Sequence, residues 1–258
     1  MKRLGGGLGL VSALVLAFLY GPIVVLVVYS FNAAHLSMAW RGTTLQWYVT
    51  LWRDEALLAA TANSLLIAAF STLGALCLGG LIALGMEGMP KRRQDLIEGG
   101  MVLPLVIHEV MMGVALMLFF VTVRLPLGLT TVILGHIVFN VPLVTIMVRA
   151  RLRKLDPALL EAAADLGATA WQTFRHVTFP LLRPAVVGAM LAAFTVSLDD
   201  FLVTFFVAGP GATTLPLKVY SMIKAGVTPE INALSSLLLV ASMFCVGLSL
   251  HFQRREPW

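Results

Sequence analysis

The sequence predicts an all-α membrane protein with about six transmembrane helices and both termini on the cytoplasmic side. Of its 258 residues, 59% are hydrophobic and only 12% charged, with a mean hydropathy of +0.92. A soluble domain carries roughly twice that charged fraction. The apolar residues come in runs of about 20, the length that crosses ~30 Å of hydrocarbon at ~1.5 Å per residue. Lys and Arg gather on alternate sides of these runs, which sets the orientation.

The first run, about Leu8 to Phe31, follows Lys2 and Arg3. It is longer than the ~7–15-residue core of a signal peptide and has no small-x-small cleavage site after it, so it reads as an uncleaved span. The stretch from Asn32 to about Ala60 holds Trp40, Trp47, Tyr48 and Trp52. Such residues favour the headgroup level, which lays this loop along a membrane face. Span two is about Thr61–Gly85 and span three about Gly99–Val123. The short break Arg124-Leu125-Pro126 makes span four, about Leu127–Val148, an antiparallel neighbour of span three. Span five is about Pro184–Val207 and span six about Ile231–Phe252. All of this forms one transmembrane domain over residues 1–258, with a polar loop at 149–183.

The basic residues orient these spans. Lys2, Arg3, Lys91, Arg92, Arg93, Arg149, Arg151, Arg153, Lys154, Arg175, Arg183, Arg254 and Arg255 lie on one side; Arg41, Arg53, Arg124, Lys218 and Lys224 lie on the other. The richer side is cytoplasmic. The net charge of +5 therefore marks loops; no basic run is interleaved with aromatics as a nucleic-acid site requires. Cys77 and Cys245 sit inside apolar runs, outside any CxxC or Cys/His cluster, and read as packing residues.

The loop between spans four and five carries the most informative pattern. Asp156 is a good N-cap with Pro157 at the first helical position, Pro157–Leu166 is an Ala/Leu-rich helix, and Gly167 is a C-cap. A second short amphipathic piece, Trp171–Val177, precedes Pro180. The result is a helical hairpin outside the membrane with much apolar surface, which calls for a partner or for packing on its own bundle.

Glu161-Ala162-Ala163, then Gly167, then Val177-Thr178-Phe179-Pro180 resembles the EAA signature of permeases in binding-protein-dependent ABC importers. That signature is Glu-Ala-Ala, three residues, Gly, nine residues and Ile-x-Leu-Pro; Val177 and Phe179 are conservative departures from it. The resemblance implies a type I ABC importer permease fold, with this hairpin as the coupling element that docks on a separate ATPase. Leu159, Leu160, Glu161, Ala162, Ala163, Gly167, Trp171 and Pro180 are then the ATPase-coupling residues, with Leu166 on the buried apolar face. Implied partners are a second permease, two ATPase subunits that hold ATP and Mg, and a periplasmic substrate-binding protein, all at a bacterial inner membrane. This chain would bind no cofactor of its own.

More specific stretches resemble the putrescine/spermidine branch: Tyr29-Ser30-Phe31-Asn32, Ser197-Leu198-Asp199-Asp200, Gly209-Pro210-Gly211-Ala212-Thr213-Thr214-Leu215-Pro216 and Pro229-Glu230-Ile231-Asn232-Ala233-Leu234. They imply a polyamine substrate. Another cation, an amino-acid derivative or an anion is the alternative cargo for the same machine.

An ionisable residue inside a span costs roughly 2.5–3.5 kcal/mol at mid-helix, so each is a functional candidate. Glu109 in span three and Asp199 and Asp200 in span five are the substrate-pathway candidates. Neighbours on a helix point about 100° apart, so Asp199 and Asp200 cannot both face one path squarely. One of them can instead bond to interrupted backbone or to a partner's basic residue, and Glu109 equally suits an inter-helix contact. His136 and Asn140, one turn apart in span four, read as an inter-helix hydrogen-bonding pair, and Pro142 as a kink.

Other chemistry lacks its residues. His108-Glu109 begins an HExxH helix, but Met112 occupies the second His position. No GxxxxGK[ST] loop occurs, so ATP belongs to another chain. Ser249 follows Gly247-Leu248, but Leu250 breaks the GxSG pattern of an intramembrane protease.

Overall fold

The computed structural model describes residues 4–34, 39–226 and 228–253. Lys2, Arg3, Arg254 and Arg255 and the side chains of Cys245 and Ser249 lie outside the described residues. The helices are α1 (Leu4–Tyr29), α2 (Gln46–Arg53), α3 (Glu55–Glu87), α4 (Lys91–Val106), α5 (Glu109–Thr122) and α6 (Leu129–Leu152). They continue with α7 (Pro157–Asp165), α8 (Ala170–Thr173), α9 (Phe179–Asp199), α10 (Leu202–Val207), α11 (Leu215–Ala225) and α12 (Pro229–Gln253). Among the described residues four helical stretches are long and apolar enough to cross a membrane, and the bent pair α4–α5 makes a fifth.

The chain forms two compact units, Met1–Leu58 with Lys218–Trp258, and Ala59–Leu217. In the first, α12 packs on α1 and α2. Asn32 ties the loop after α1. Its buried Oδ1 accepts from the backbone N–H of Ala34 and Arg41, its Nδ2 donates to Ala39 O, and its own carbonyl accepts from Trp47 Nε1 at 2.7 Å. Ser30 Oγ bonds Tyr48 Oη at 2.7 Å. The aromatic loop therefore folds back on the end of α1. Asp54, between α2 and α3, accepts from Leu57 N and pairs with Lys218 at 3.3 Å.

The second unit is organised around α6, which buries His136, Phe139, Asn140, Val144, Val148 and Arg149. In lipid, helices gain little from apolar burial against each other, so small residues that allow close backbone approach dominate their contacts. Along α3, Ser71, Ala75, Gly79 and Ala83 recur every fourth residue, and all are buried. A side chain at Gly79 would collide with Val141 O and Val144 of α6. On α9, Ala189, Ala193 and Ser197 repeat the spacing, and Ser197 Oγ bonds Ser71 Oγ at 3.0 Å. The Gly209–Pro216 stretch is pinned to α3: Asn63 Nδ2 donates to Gly211 O and Thr213 O, and Ser64 Oγ accepts from Leu215 N. Gly209 lies against Leu127 O so closely that no Cβ fits.

Two predicted spans differ from the simple reading. The stretch read as a continuous span three is broken: Ile107 and His108 are extended, and α4 and α5 meet at 104°. Pro104, one turn before the break, removes a ladder donor and weakens α4 there. The stretch read as span five begins earlier and breaks later. Helical backbone runs from Ala170 to Asp199 and then stops at extended Asp200 before α10. Pro180 does not end the preceding piece, because Phe174–Thr178 forms a π turn. The wider i→i+5 bonding there, with Phe179 N on Phe174 O, absorbs the backbone donor that proline lacks.

Candidate functional site

The two breaks open onto one cavity of about 580 Å³. From the α4–α5 break come Ile107 and Glu109; from the α9–α10 break come Asp199 and Asp200; α6 contributes Phe139 and Asn140. Among the described residues no Lys, Arg or His lines it. Irregular backbone at membrane depth is tolerated only where it is buried in protein or lines a water-filled cavity. Here both irregular segments border the same space. The short helices beyond the breaks hold each other: a Cβ at Gly113 of α5 would strike Phe206 of α10, and Met112, Phe120, Val203 and Val207 share one apolar cluster.

The three carboxylates expected on a pathway are thus brought together, but they are not equivalent. Asp200 is committed to structure. Its Oδ1 accepts from Val203 N at 3.3 Å, and its Oδ2 accepts from Thr204 N and Thr204 Oγ1, both at 2.8 Å, so it caps α10. His136 Nε2 of α6 lies 3.2 Å from the same oxygen. The imidazole also bonds Thr204 Oγ1 at 3.0 Å and, through Nδ1, Ser197 Oγ at 2.6 Å. Asp199 and Glu109 are exposed to the cavity side and make no hydrogen bond or ion pair among the described residues. Glu109 stands in the first turn of α5, where the helix dipole favours a negative charge. The arrangement offers two unpaired carboxylates beside apolar walls, a surface that suits a cation with an aliphatic body.

His136 and Asn140, expected to work as one inter-helix pair, behave differently. His136 joins α6 to α9 and α10; the buried Asn140 amide has no hydrogen-bond partner among the described residues. The signal for the His136–Asp200 contact was present in the sequence as two ionisable groups in spans, which are costly unless paired. A second buried charge was not anticipated. Arg149, counted as a loop residue, is buried in the last turn of α6, where it pairs with Glu98 and Gln94 of α4. Arg153 Nη2 adds a 2.7 Å bond to Glu98.

The hairpin lies elsewhere in the same unit. Asp156 caps α7 by accepting from Ala158 N, and Gly167, at φ +77°, closes it. Gly167 N bonds Ala164 O and Ala168 N bonds Ala163 O, the paired bonds of a Schellman motif. Thr169 and Gln172 form a capping box that starts α8, a Thr-x-x-Gln pattern readable in the sequence. Leu159, Leu160, Glu161, Ala162, Gly167, Trp171 and Pro180 are exposed, as is Leu166 at 88%, while Ala163 is buried. Trp171 stacks on Phe174. The hairpin presents its apolar side chains outward.

Residues 75–255 match the family model for the binding-protein-dependent transport system inner membrane component. The chain is 38% identical over 230 residues to the spermidine/putrescine transport system permease protein PotC of Escherichia coli (strain K12), covering 89% of this chain and 87% of that one. It is 41% identical over 231 residues to the putrescine transport system permease protein PotI of the same strain, covering 87% and 82%. Among solved structures it resembles a chain of a bacterial ABC transporter involved in the import of the acidic polysaccharide alginate, with a TM-score of 0.76 at 20% identity over 100% of this chain and 96% of that one. The bacterial alginate transporter in complex with its alginate pentasaccharide-bound periplasmic protein gives 0.75 at 20% identity over 98% and 94%. These structures share the fold.

Proposed function

We propose the following function for a chain that belongs to the binding-protein-dependent transport system inner membrane component family: it is the permease subunit that conducts polyamines through an ATP-driven importer. The cavity carries this reading, because among the described residues Glu109 and Asp199 are unpaired beside Asp200 and no basic residue lines the space with them. An aliphatic diamine needs carboxylates for its ammonium groups and apolar wall for its methylenes. The near-full-length similarity to PotC and PotI supports the same substrate class. The acidic lining disfavours an anionic cargo by like-charge repulsion.

On this reading the chain has six spans in a bacterial inner membrane, with both termini cytoplasmic. It works beside a second permease, because a single six-span bundle makes a poor pathway. Two ATPase subunits bind ATP and Mg, and a periplasmic protein delivers the substrate; this chain has no ATPase site. The hairpin α7–α8 is the coupling element, and its exposed Leu159, Leu160, Leu166 and Trp171 are the face that an ATPase groove covers. Helical backbone is continuous from Ala170 to Asp199. Movement of the hairpin therefore reaches the acidic end of α9 without an intervening loop.

The test is reconstitution of the complete importer in liposomes. Putrescine and spermidine should enter in an ATP-dependent manner and compete with each other, whereas sulfate should not compete. Deletion of Pro157–Gly167 should abolish uptake and leave membrane insertion intact; uptake that survives the deletion refutes the coupling role.

A further inference from the structure

The Asn140 side chain has no account in the fold. Its residue is fully buried, and among the described residues both its Nδ2 and Oδ1 lack a hydrogen-bond partner. It stands one turn from His136 on the same buried stripe of α6, where the imidazole satisfies both its nitrogens on Ser197, Thr204 and Asp200. A buried amide left without partners costs on the order of 1–3 kcal/mol, and an apolar group of the same shape avoids that cost. Stability alone therefore favours leucine at this position. Asn140 also lines the cavity that holds Glu109, Asp199 and Asp200.

We infer that the Asn140 amide is a substrate contact, with its Oδ1 accepting an N–H from an alkylammonium group in the cavity. This rests on the polyamine reading above and adds to it a residue that recognises hydrogen-bond donors rather than charge. The division of labour is physical. Asp199 and Glu109 attract and neutralise the cation over several ångströms. A neutral amide adds direction without further charge, so it holds the ammonium in register and does not trap it, as conduction requires. Met112, Phe139 and Leu143 of the same wall accommodate the methylene chain.

The experiment uses the complete importer with its binding protein in liposomes, with saturating putrescine as the probe. Asn140→Leu, nearly isosteric, should lower putrescine turnover about tenfold, the size expected for one lost hydrogen bond to a charged group. It should leave the melting temperature of the complex unchanged or raised. Asn140→Ser, with a shorter acceptor, should recover part of the uptake. If the leucine variant fails to insert, Asn140→Ala is read by the same criteria. Unchanged putrescine uptake in Asn140→Leu, while the unmodified importer transports putrescine, overturns the role of Asn140 and leaves the polyamine reading standing. A joint fall of uptake and melting temperature in both Asn140→Leu and Asn140→Ala, unrelieved by serine, makes the residue a packing element and also overturns it. Absence of polyamine uptake by the unmodified importer overturns the substrate class itself, and this contact with it.

Discussion

His136 Nε2 lies 3.2 Å from Asp200 Oδ2, and the pair ties the middle of α6 to the point where α9 gives way to α10. Asp200 also receives two backbone N–H groups of α10. Replacing it with alanine removes one partner of the buried imidazole, which keeps Ser197 and Thr204, and uncaps the helix. Each buried donor left without its acceptor costs about 1–3 kcal/mol. Asp200→Ala should therefore lower thermal stability in detergent and abolish uptake, whereas Asp200→Asn, which keeps an acceptor for Thr204, should retain a larger share of both.

Asp199 and Glu109 predict the opposite balance. Neither makes a side-chain bond among the described residues, so Asp199→Asn and Glu109→Gln should leave the melting temperature nearly unchanged. In the reconstituted importer each should lower kcat/KM for putrescine roughly tenfold, equivalent to ~1.4 kcal/mol. Uptake measured against substrate concentration separates this from the Asp200 effect.

For the hairpin, Leu166 is 88% exposed and Trp171 66%. A charge at Leu166 costs the isolated chain little. Leu166→Glu should therefore leave insertion and melting temperature unchanged while preventing co-purification of the ATPase, since an unpaired charge buried in an interface costs several kcal/mol.

Asp54 provides a pH dependence outside the spans. Burial raises its carboxyl pKa, but the N–H groups of Leu57 and Ala56 and the ammonium of Lys218 outweigh that and hold it below the ordinary carboxylate value. A depressed folded-state value stabilises the fold at pH above the unfolded value, and that contribution disappears as pH falls through the folded one. Stability should thus be insensitive to this group from pH 7 to about 5 and decline below about pH 4. Asp54→Asn should flatten that acid limb, as read by thermal unfolding against pH.

Arg149 is buried against Glu98 and Gln94. Arg149→Ala leaves the part-exposed Glu98 with Arg153 as its partner and takes the guanidinium away from Gln94, so it should lower stability. Because Glu98 also bonds Arg153 at the surface, Arg149→Lys should recover only part of the loss: a lysine cannot reach two acceptors with a planar fork. Denaturant titration of the purified chain measures both.

Much of the hairpin was legible because its signals are local. Asp156-Pro157 starts a helix and Gly167 ends one whatever surrounds them, and the observed α7 lies within one residue of the expected Pro157–Leu166. Four of the apolar runs were legible, for the same reason, as helices long enough to cross a membrane. The breaks at Ile107–His108 and Asp200 were not, because an apolar run has the same composition whether its helix is straight or bent by 104°. Arg149 was misread because charge in a sequence looks the same on a loop as in a buried last turn.

By itself the amino-acid order determined that the protein lives in lipid, where its helical runs fall, and which segment outside the membrane carries an importer signature. Those properties depend on composition and on spacing within a few turns. Only the tertiary structure decided that Asp200 is consumed by His136 and Thr204, and that among the described residues Asp199 and Glu109 remain unpaired and Asn140 stands beside them without a partner. Whether a buried polar group is satisfied depends on residues from other helices, and sequence distance carries no record of which helices meet.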